Sequence, residues 1–171
     1  MGASVPDDFP TPVRRAWSET HPGLDLSPAE LVGLLKHANA MLDLMLEPVF
    51  ETAPLSSSEF DLLLHLRHLD GTSIARRLAA SMGRSAAALS KSLAKLEKRG
   101  LVVREANPTD RRAALVTITE AGVAAVDDVL PRRLALEAKV FDALEPGDRT
   151  RIAAALGVLG RTLEKAAKNG A

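Results

Sequence analysis

The stretch from Ser85 to Thr119 constrains the fold of this chain more than any other part of it. It divides into a cationic helix, SAAALSKSLAKLEKRG, and a short two-stranded wing, LVVREANPTDRRAALVTIT. In the helix, Leu89, Leu93 and Leu96 recur at i, i+4 and i+7, which makes one apolar face. Opposite them stand Ala86, Ala87, Ser90, Lys91, Ala94 and Lys95. Small residues permit close approach to a groove, while hydroxyls and amines meet phosphates and base edges. Gly100 falls where a left-handed C-cap ends a helix. At the wing tip Asn107-Pro108-Thr109-Asp110 forms the turn, and Arg111 and Arg112 follow it. Arginines on a thin protruding loop suit the narrow minor groove, where the negative potential is strongest. Helix and wing together predict a DNA-reading element.

The charge distribution agrees, although the total hides it. The chain has 22 basic and 22 acidic residues and no net formal charge. Residues 1–70 hold four basic and 11 acidic residues, a net of −7, whereas residues 71–112 hold ten and three, a net of +7. The remaining residues carry eight of each. A basic segment confined to one unit is the electrostatic footprint of phosphate contact, whatever the global balance.

Composition narrows the class. Of 171 residues, 46% are apolar but only 3% aromatic, so the core is built from Leu, Ala and Val, as in a helical protein. There is no Cys, which removes disulfides, thiol redox chemistry and thiolate metal sites. No apolar run reaches the roughly 18 residues that span a bilayer. Asp7, Asp8 and several prolines occupy the place of a signal peptide's apolar region, so a soluble cytoplasmic protein is expected.

Helix signals recur along the chain. Thr11-Pro12 opens a short helix running to Glu19, and His21-Pro22-Gly23 breaks it. Ser27-Pro28-Ala29-Glu30 reads as a capping box for a long helix with a stripe of Leu31, Leu34, Leu35, Ala38, Leu42 and Met45. Pro48 marks a kink or the approach of its end. Ser56-Ser57-Ser58-Glu59 is a second box, opening a helix that Asp70-Gly71 stops. A short helix over Ser73–Ser81 and a turn at Met82-Gly83 lead into the cationic helix, which completes a helix-turn-helix. After the wing come a long helix from Glu120 to about Leu144, bent at Pro131, and a last one from Pro146 with a stripe of Ile152, Leu156, Leu159 and Leu163. The expected fold is mainly α: a winged helix-turn-helix with a two-stranded β-wing and long N- and C-terminal dimerisation helices. It divides into an extension over 1–26, a dimerisation helix over 27–55, a DNA-binding domain over 56–119 and C-terminal dimerisation helices over 120–171. The terminal helices carry more apolar surface than a small winged domain needs, and a second copy is their simplest partner.

This order, with LEKRGLVVREANPTDRRAALVTITEAG as its most specific run, resembles the MarR family of bacterial regulators. The resemblance covers nearly the whole chain from Ser27 onward. It implies a homodimeric winged helix-turn-helix protein, usually a repressor of a palindromic operator, released by a small, often aromatic or anionic, ligand. By the same resemblance the DNA-binding residues are Arg84, Ser85, Ala87, Ser90, Lys91 and Lys95 on and before the recognition helix. On the wing they are Arg111 and Arg112, with Asp110 bracing the arginine that enters the minor groove. The segment WSETHPGLDLSP, a long helix and then EFDLLLHLR are similar to the urate-responsive branch of the family. That likeness implies a ligand site of Trp17, Asp61 and Arg104, with Ser92 where the branch has an arginine. Urate needs paired cationic donors, and Lys91 points about 100° away from Ser92 on the helix. A purine or a singly charged aromatic acid is therefore the expected effector class. Asp61, read as a buried carboxylate, takes Arg104 as its expected partner.

Other readings are weighed on the same residues. His65 and His68 at i, i+3 could ligate a metal with His37. Without Cys or a second His pair they read as exposed or hydrogen-bonded histidines, and neither metal nor cofactor is expected. The chain has no Gly-rich phosphate loop, nucleophile elbow or His-Glu metal motif, so no catalytic residues are expected. The alternatives kept open are a metal-responsive regulator of the same fold and a winged-helix adaptor that binds protein rather than DNA.

Overall fold

The computed structural model describes residue 17 and residues 19–21, 23–69, 71–107 and 114–169. Most of the short helix expected over 11–19, the wing tip at 108–113 and Asp70 lie outside these residues. Two compact units result, residues 1–52 and residues 53–171.

In the first unit, helix α1 spans Ser27–Glu51. The capping box expected at Ser27 is not formed. Helical geometry already begins at Leu26, and the Ser27 N–H donates to Asp25 Oδ1 at 3.0 Å. Asp25 thus does the capping that the sequence pattern assigns to Ser27, and these hydrogen bonds hold its carboxyl below the usual range. Pro48 is carried inside the helix, which continues to Glu51. Along the apolar stripe Leu31 and Leu35 are exposed, as are Val32, Met41 and Leu44 beside it, whereas Leu46 and Val49 are buried.

The second unit begins with helix α2, Ser57–His68, and here the capping box is complete. Ser56 Oγ accepts the Glu59 N–H at 3.3 Å, and Glu59 Oε2 accepts the Ser56 N–H at 3.0 Å. Gly71, at φ 81°, turns the chain out of the helix, a conformation that favours glycine. Strand β1 (Thr72–Ile74), helix α3 (Ala75–Ser81), helix α4 (Ala86–Lys98), strands β2 (Val102–Ala106) and β3 (Ala114–Ile118), helix α5 (Glu120–Phe141) and helix α6 (Pro146–Lys168) follow.

The two-stranded wing is part of a three-stranded antiparallel sheet, in the order β1-β3-β2. The register sets Thr72 opposite Thr117 and Arg104 opposite Val116. The extra strand takes Ser73 and Ile74 from the segment expected to be helical, and adds Thr72 before it. The Thr72 and Thr117 hydroxyls meet at 3.0 Å, and β3 offers these residues an open edge to pair with.

The core of this unit collects Phe60, Leu63 and Leu66 of α2, Leu78 of α3, Leu89, Leu93 and Leu96 of α4, Val116 of β3, and Val126 and Val129 of α5. Each such side chain contributes about 1.5–3 kcal/mol by leaving water. The three leucines predicted to face inward on α4 are therefore what fixes which side of that helix points out.

Candidate nucleic-acid interface

Helix α4 is set by its two ends and its apolar face. Gly83, at φ 62°, turns the chain out of α3, and Ser85 then caps α4 by accepting the Ala88 N–H at 3.2 Å. Gly100, at φ 71°, ends it. With Leu89, Leu93 and Leu96 buried, the 3.6-residue repeat turns Ala86, Ala87, Ser90, Lys91, Ala94 and Lys95 to the exterior, and all six are exposed. Arg76 and Arg77 of α3 are exposed as well. The outer surface of the helix-turn-helix is thus small, hydroxylated and cationic, which permits approach to a groove and contact with phosphates.

Not every predicted cation points outward. The Arg84 guanidinium lies along α4, where Nη2 donates to Ser92 Oγ at 3.0 Å, and Ser92 Oγ donates to the Ala88 carbonyl at 3.2 Å. Asp110, Arg111 and Arg112, the predicted wing contacts, lie outside the described residues.

The four residues expected at the ligand site have separate partners. Trp17 is 54% exposed, and its ring stacks on His21 with centroids 5.5 Å apart. Asp61 is not the buried carboxylate that the sequence suggests: its side chain is 47% exposed and accepts from Arg133 Nη1 at 2.6 Å. Helical geometry explains the difference. Phe60, Leu62 and Leu63 are buried, and the 100° step between them turns Asp61 toward the rim. Arg104, the partner expected for Asp61, instead reaches Glu97 of α4 at 3.9 Å. Glu97 stands about 140° around α4 from Ser92, so Arg104 and Ser92 occupy opposite flanks of that helix. Arg104 Nε is buried and has no hydrogen-bond partner.

Sequence reasoning missed Arg133. Its side chain is 19% exposed, Nε donates to Glu137 at 2.7 Å, and the guanidinium lies 5.2 Å from the Phe60 ring centroid. Burial works against its charge, but the hydrogen bonds and fields of Glu137 and Asp61 outweigh that and raise its pKa. The Arg133–Glu137 spacing of four was the one local signal for it. The wing base was missed too: Thr119 caps α5 by accepting the Gly122 N–H at 3.1 Å, and its hydroxyl donates to the Gly100 carbonyl at 2.7 Å.

Among the described residues no group of three His, Asp or Glu side chains is placed to hold a metal ion. His65 Nε2 lies 2.8 Å from Ser81 Oγ, and that hydroxyl donates to the Leu78 carbonyl. No helix among them is long and apolar enough to cross a membrane.

Residues 53–113 match the model of the MarR family. The chain is 27% identical over 144 residues to the HTH-type transcriptional regulator PecS of Dickeya dadantii, spanning 82% of this chain and 86% of that one. Among solved structures it resembles AbsC, a MarR family transcriptional regulator from Streptomyces coelicolor, at 27% identity and a TM-score of 0.73, over 83% of this chain and 99% of that one. It also resembles CouR from Rhodococcus jostii, solved with p-coumaroyl-CoA bound, at 25% identity and a TM-score of 0.66, over 75% and 90% of the two chains. With the helix-turn-helix, the β3-centred sheet and the cationic face of α4 in place, the chain has the winged helix-turn-helix fold of MarR family regulators and is similar in sequence to transcriptional regulators of that kind.

Proposed function

We propose that this chain is a transcriptional regulator of the MarR family, a repressor that binds a palindromic operator as a homodimer and is released from it by a small aromatic or anionic effector. The observation that carries the DNA-reading part is the outward face of α4, where Ser90, Lys91 and Lys95 stand among alanines opposite a fully buried leucine face. Arg112, braced by Asp110, is proposed to enter the minor groove from the wing, with Arg111 beside it. Such a protein acts in the cytoplasm, where a bacterial operator lies.

The homodimer is supported by apolar side chains without cover. Leu134, Val140 and Phe141 of α5 are exposed, as are Ile152, Leu156, Val158 and Leu163 of α6, a helix with no buried residue. An amphipathic helix that buries nothing in its own chain gains its stability from a partner. A two-fold dimer also presents two copies of α4 to half-sites about one helical turn apart.

An aromatic or anionic effector is supported by CouR, whose bound p-coumaroyl-CoA is both, and by Arg104, whose buried Nε is unsatisfied. The urate-responsive resemblance nominates Trp17, Asp61, Ser92 and Arg104 for single substitution. Urate itself is expected to bind weakly, since Ser92 offers no cation.

Salt separates this reading from that of a protein-binding adaptor. Affinity for duplex DNA should fall steeply as salt rises, by about 0.9 logarithmic units per decade of salt for each phosphate neutralised. An adaptor binds duplex at no salt concentration, and that result would end the proposal. A thermal-shift screen of aromatic acids and purines then finds the effector, because a ligand of the folded state raises the melting temperature.

A further inference from the structure

In the sequence Arg99 belongs to the basic tail of the recognition helix, KLEKRG, and adds to the positive charge of residues 71–112. The structure turns it away from that face. Arg99 Nη1 donates to Glu59 Oε2 at 3.1 Å, and Nη2 donates to the Pro54 carbonyl. Glu59 is the acidic member of the α2 capping box, its side chain is only 17% exposed, and the same Oε2 accepts the Ser56 N–H. One carboxylate oxygen therefore joins the N-cap of α2 to the C-cap of α4. The second arm of the guanidinium holds the backbone just before α2. Burial raises the Glu59 pKa, but the hydrogen bonds from Ser56 and Arg99 outweigh it and keep the carboxylate charged.

We propose that Arg99 is a positioning residue for DNA reading: it fixes the C-terminal turn of α4 against the start of α2 and makes no phosphate contact of its own. This deepens the reading of α4 as the DNA-reading helix and rests on it. The buried leucines decide which face of α4 points out, but apolar contacts are non-directional and tolerate small slides along the helix axis. A guanidinium fork with two acceptors on different segments does not, because its planar donors demand both acceptors at fixed angles. Direct readout needs that precision, whereas phosphate contact by long flexible lysines does not.

The test uses the full chain, a duplex that it selects from a random-sequence pool, and a random-sequence duplex, across a salt series. Arg99→Gln and Glu59→Gln are each expected to weaken binding to the selected duplex by about five- to tenfold, the range for partners in one hydrogen-bonded ionic network. Binding to random duplex, and the slope of log affinity against log salt, should stay as in the parent. The double variant should be no worse than either single one. Glu59→Gln is the sharper variant, since removing a negative charge strengthens DNA binding if only the electric field matters. The proposal is overturned if Glu59→Gln binds more tightly, or if Arg99→Gln flattens the salt slope by about one, the signature of a lost phosphate contact. Equal losses on both duplexes overturn it too, because they signal general damage to the unit. A parent chain that binds neither duplex at low salt removes the DNA-reading proposal itself, a result distinct from all of these.

Discussion

Replacing Gly122 by alanine should destabilise the second unit, although helix propensity alone predicts the reverse. A Cβ at this position of α5 would stand 2.2 Å from the Leu101 carbonyl oxygen and 2.8 Å from Ile118 Cγ1, where ordinary contact begins near 3.4 Å. The Ile118 side chain can turn aside, but the carbonyl is backbone and is already engaged. It accepts the Thr119 N–H at 3.1 Å, beside the Thr119 hydroxyl that caps Gly122 and reaches the Gly100 carbonyl. Making room means moving α5 and the base of the wing apart by more than 1 Å. Overpacking of this kind costs about 1–3 kcal/mol, and weakening two of the junction's hydrogen bonds adds about 1 kcal/mol each. Alanine returns about 1 kcal/mol through propensity. The balance is a loss of roughly 2–4 kcal/mol, which at a urea m-value of about 2 kcal/mol/M lowers the midpoint by roughly 1–2 M. Far-UV circular dichroism reads this at matched protein concentrations. Trp17 fluorescence would not serve, since Trp17 belongs to the other unit. A midpoint equal to the parent's or above it would refute the close approach.

Lys91→Ala and Lys95→Ala should each reduce the salt slope of DNA binding by about one unit if they meet phosphates, and lower affinity for all sequences alike. Arg112→Ala should weaken operator binding strongly and leave the sedimentation of the dimer unchanged; undiminished affinity in a gel shift would mean that the wing does not read DNA. Removal of residues 146–171 uncovers the Phe141 region and should yield a monomeric or aggregating chain with poor DNA affinity, whereas a well-behaved truncated dimer that still binds would refute α6 as the dimerisation helix. Because Glu59 has a lowered pKa in the folded chain, its contribution is present above the ordinary glutamate value of 4.5 and disappears as pH falls through the folded value. The parent's advantage in urea over Glu59→Gln should therefore vanish on acidification; an advantage that grows in acid contradicts the hydrogen-bond account.

What the sequence made legible was local. The face of α4 follows from three leucines at helical spacing, the start of α2 from Ser56 and Glu59, and the ends of α3 and α4 from Gly83 and Gly100, both in the left-handed region. Each is decided within about two turns of helix. What stayed hidden was long-range. Strand β1 is three residues long, too short for an alternating pattern, and exists because β3 offers it an edge. Asp61 and Arg133 are separated by 72 positions, and no periodicity links them. The sequence shows Arg99 only as one more basic residue, whereas its partners are Glu59 and Pro54, which only the fold brings near. The start of α1 at Ser27 was legible, but its cap was not, since Asp25 accepts the Ser27 N–H and the Ser27 side chain caps nothing.

The corrected partner of Asp61 changes how the DNA-reading unit should be understood mechanically. Asp61 of α2 meets Arg133 of α5, and six residues along α2 Arg67 meets Asp127, six residues back along α5. Equal steps in opposite directions mean that the two helices run antiparallel, bridged by two ion pairs of reversed polarity. Between them Phe60, Leu66, Val126 and Val129 are buried. Exposed ion pairs alone contribute little, a few tenths to 1 kcal/mol each. Here they flank an apolar seam, and a slide along it breaks both pairs and, in one direction, brings Asp61 toward Asp127. At the wing base α5 is held a second time, through Thr119 and Gly122 against Gly100 and Leu101. A displacement of α5 must therefore move α2, the C-cap of α4 and the wing together, because each is tied to it or to its neighbour by directional bonds. An effector that biases α5 needs no contact with α4 to change what α4 presents to DNA.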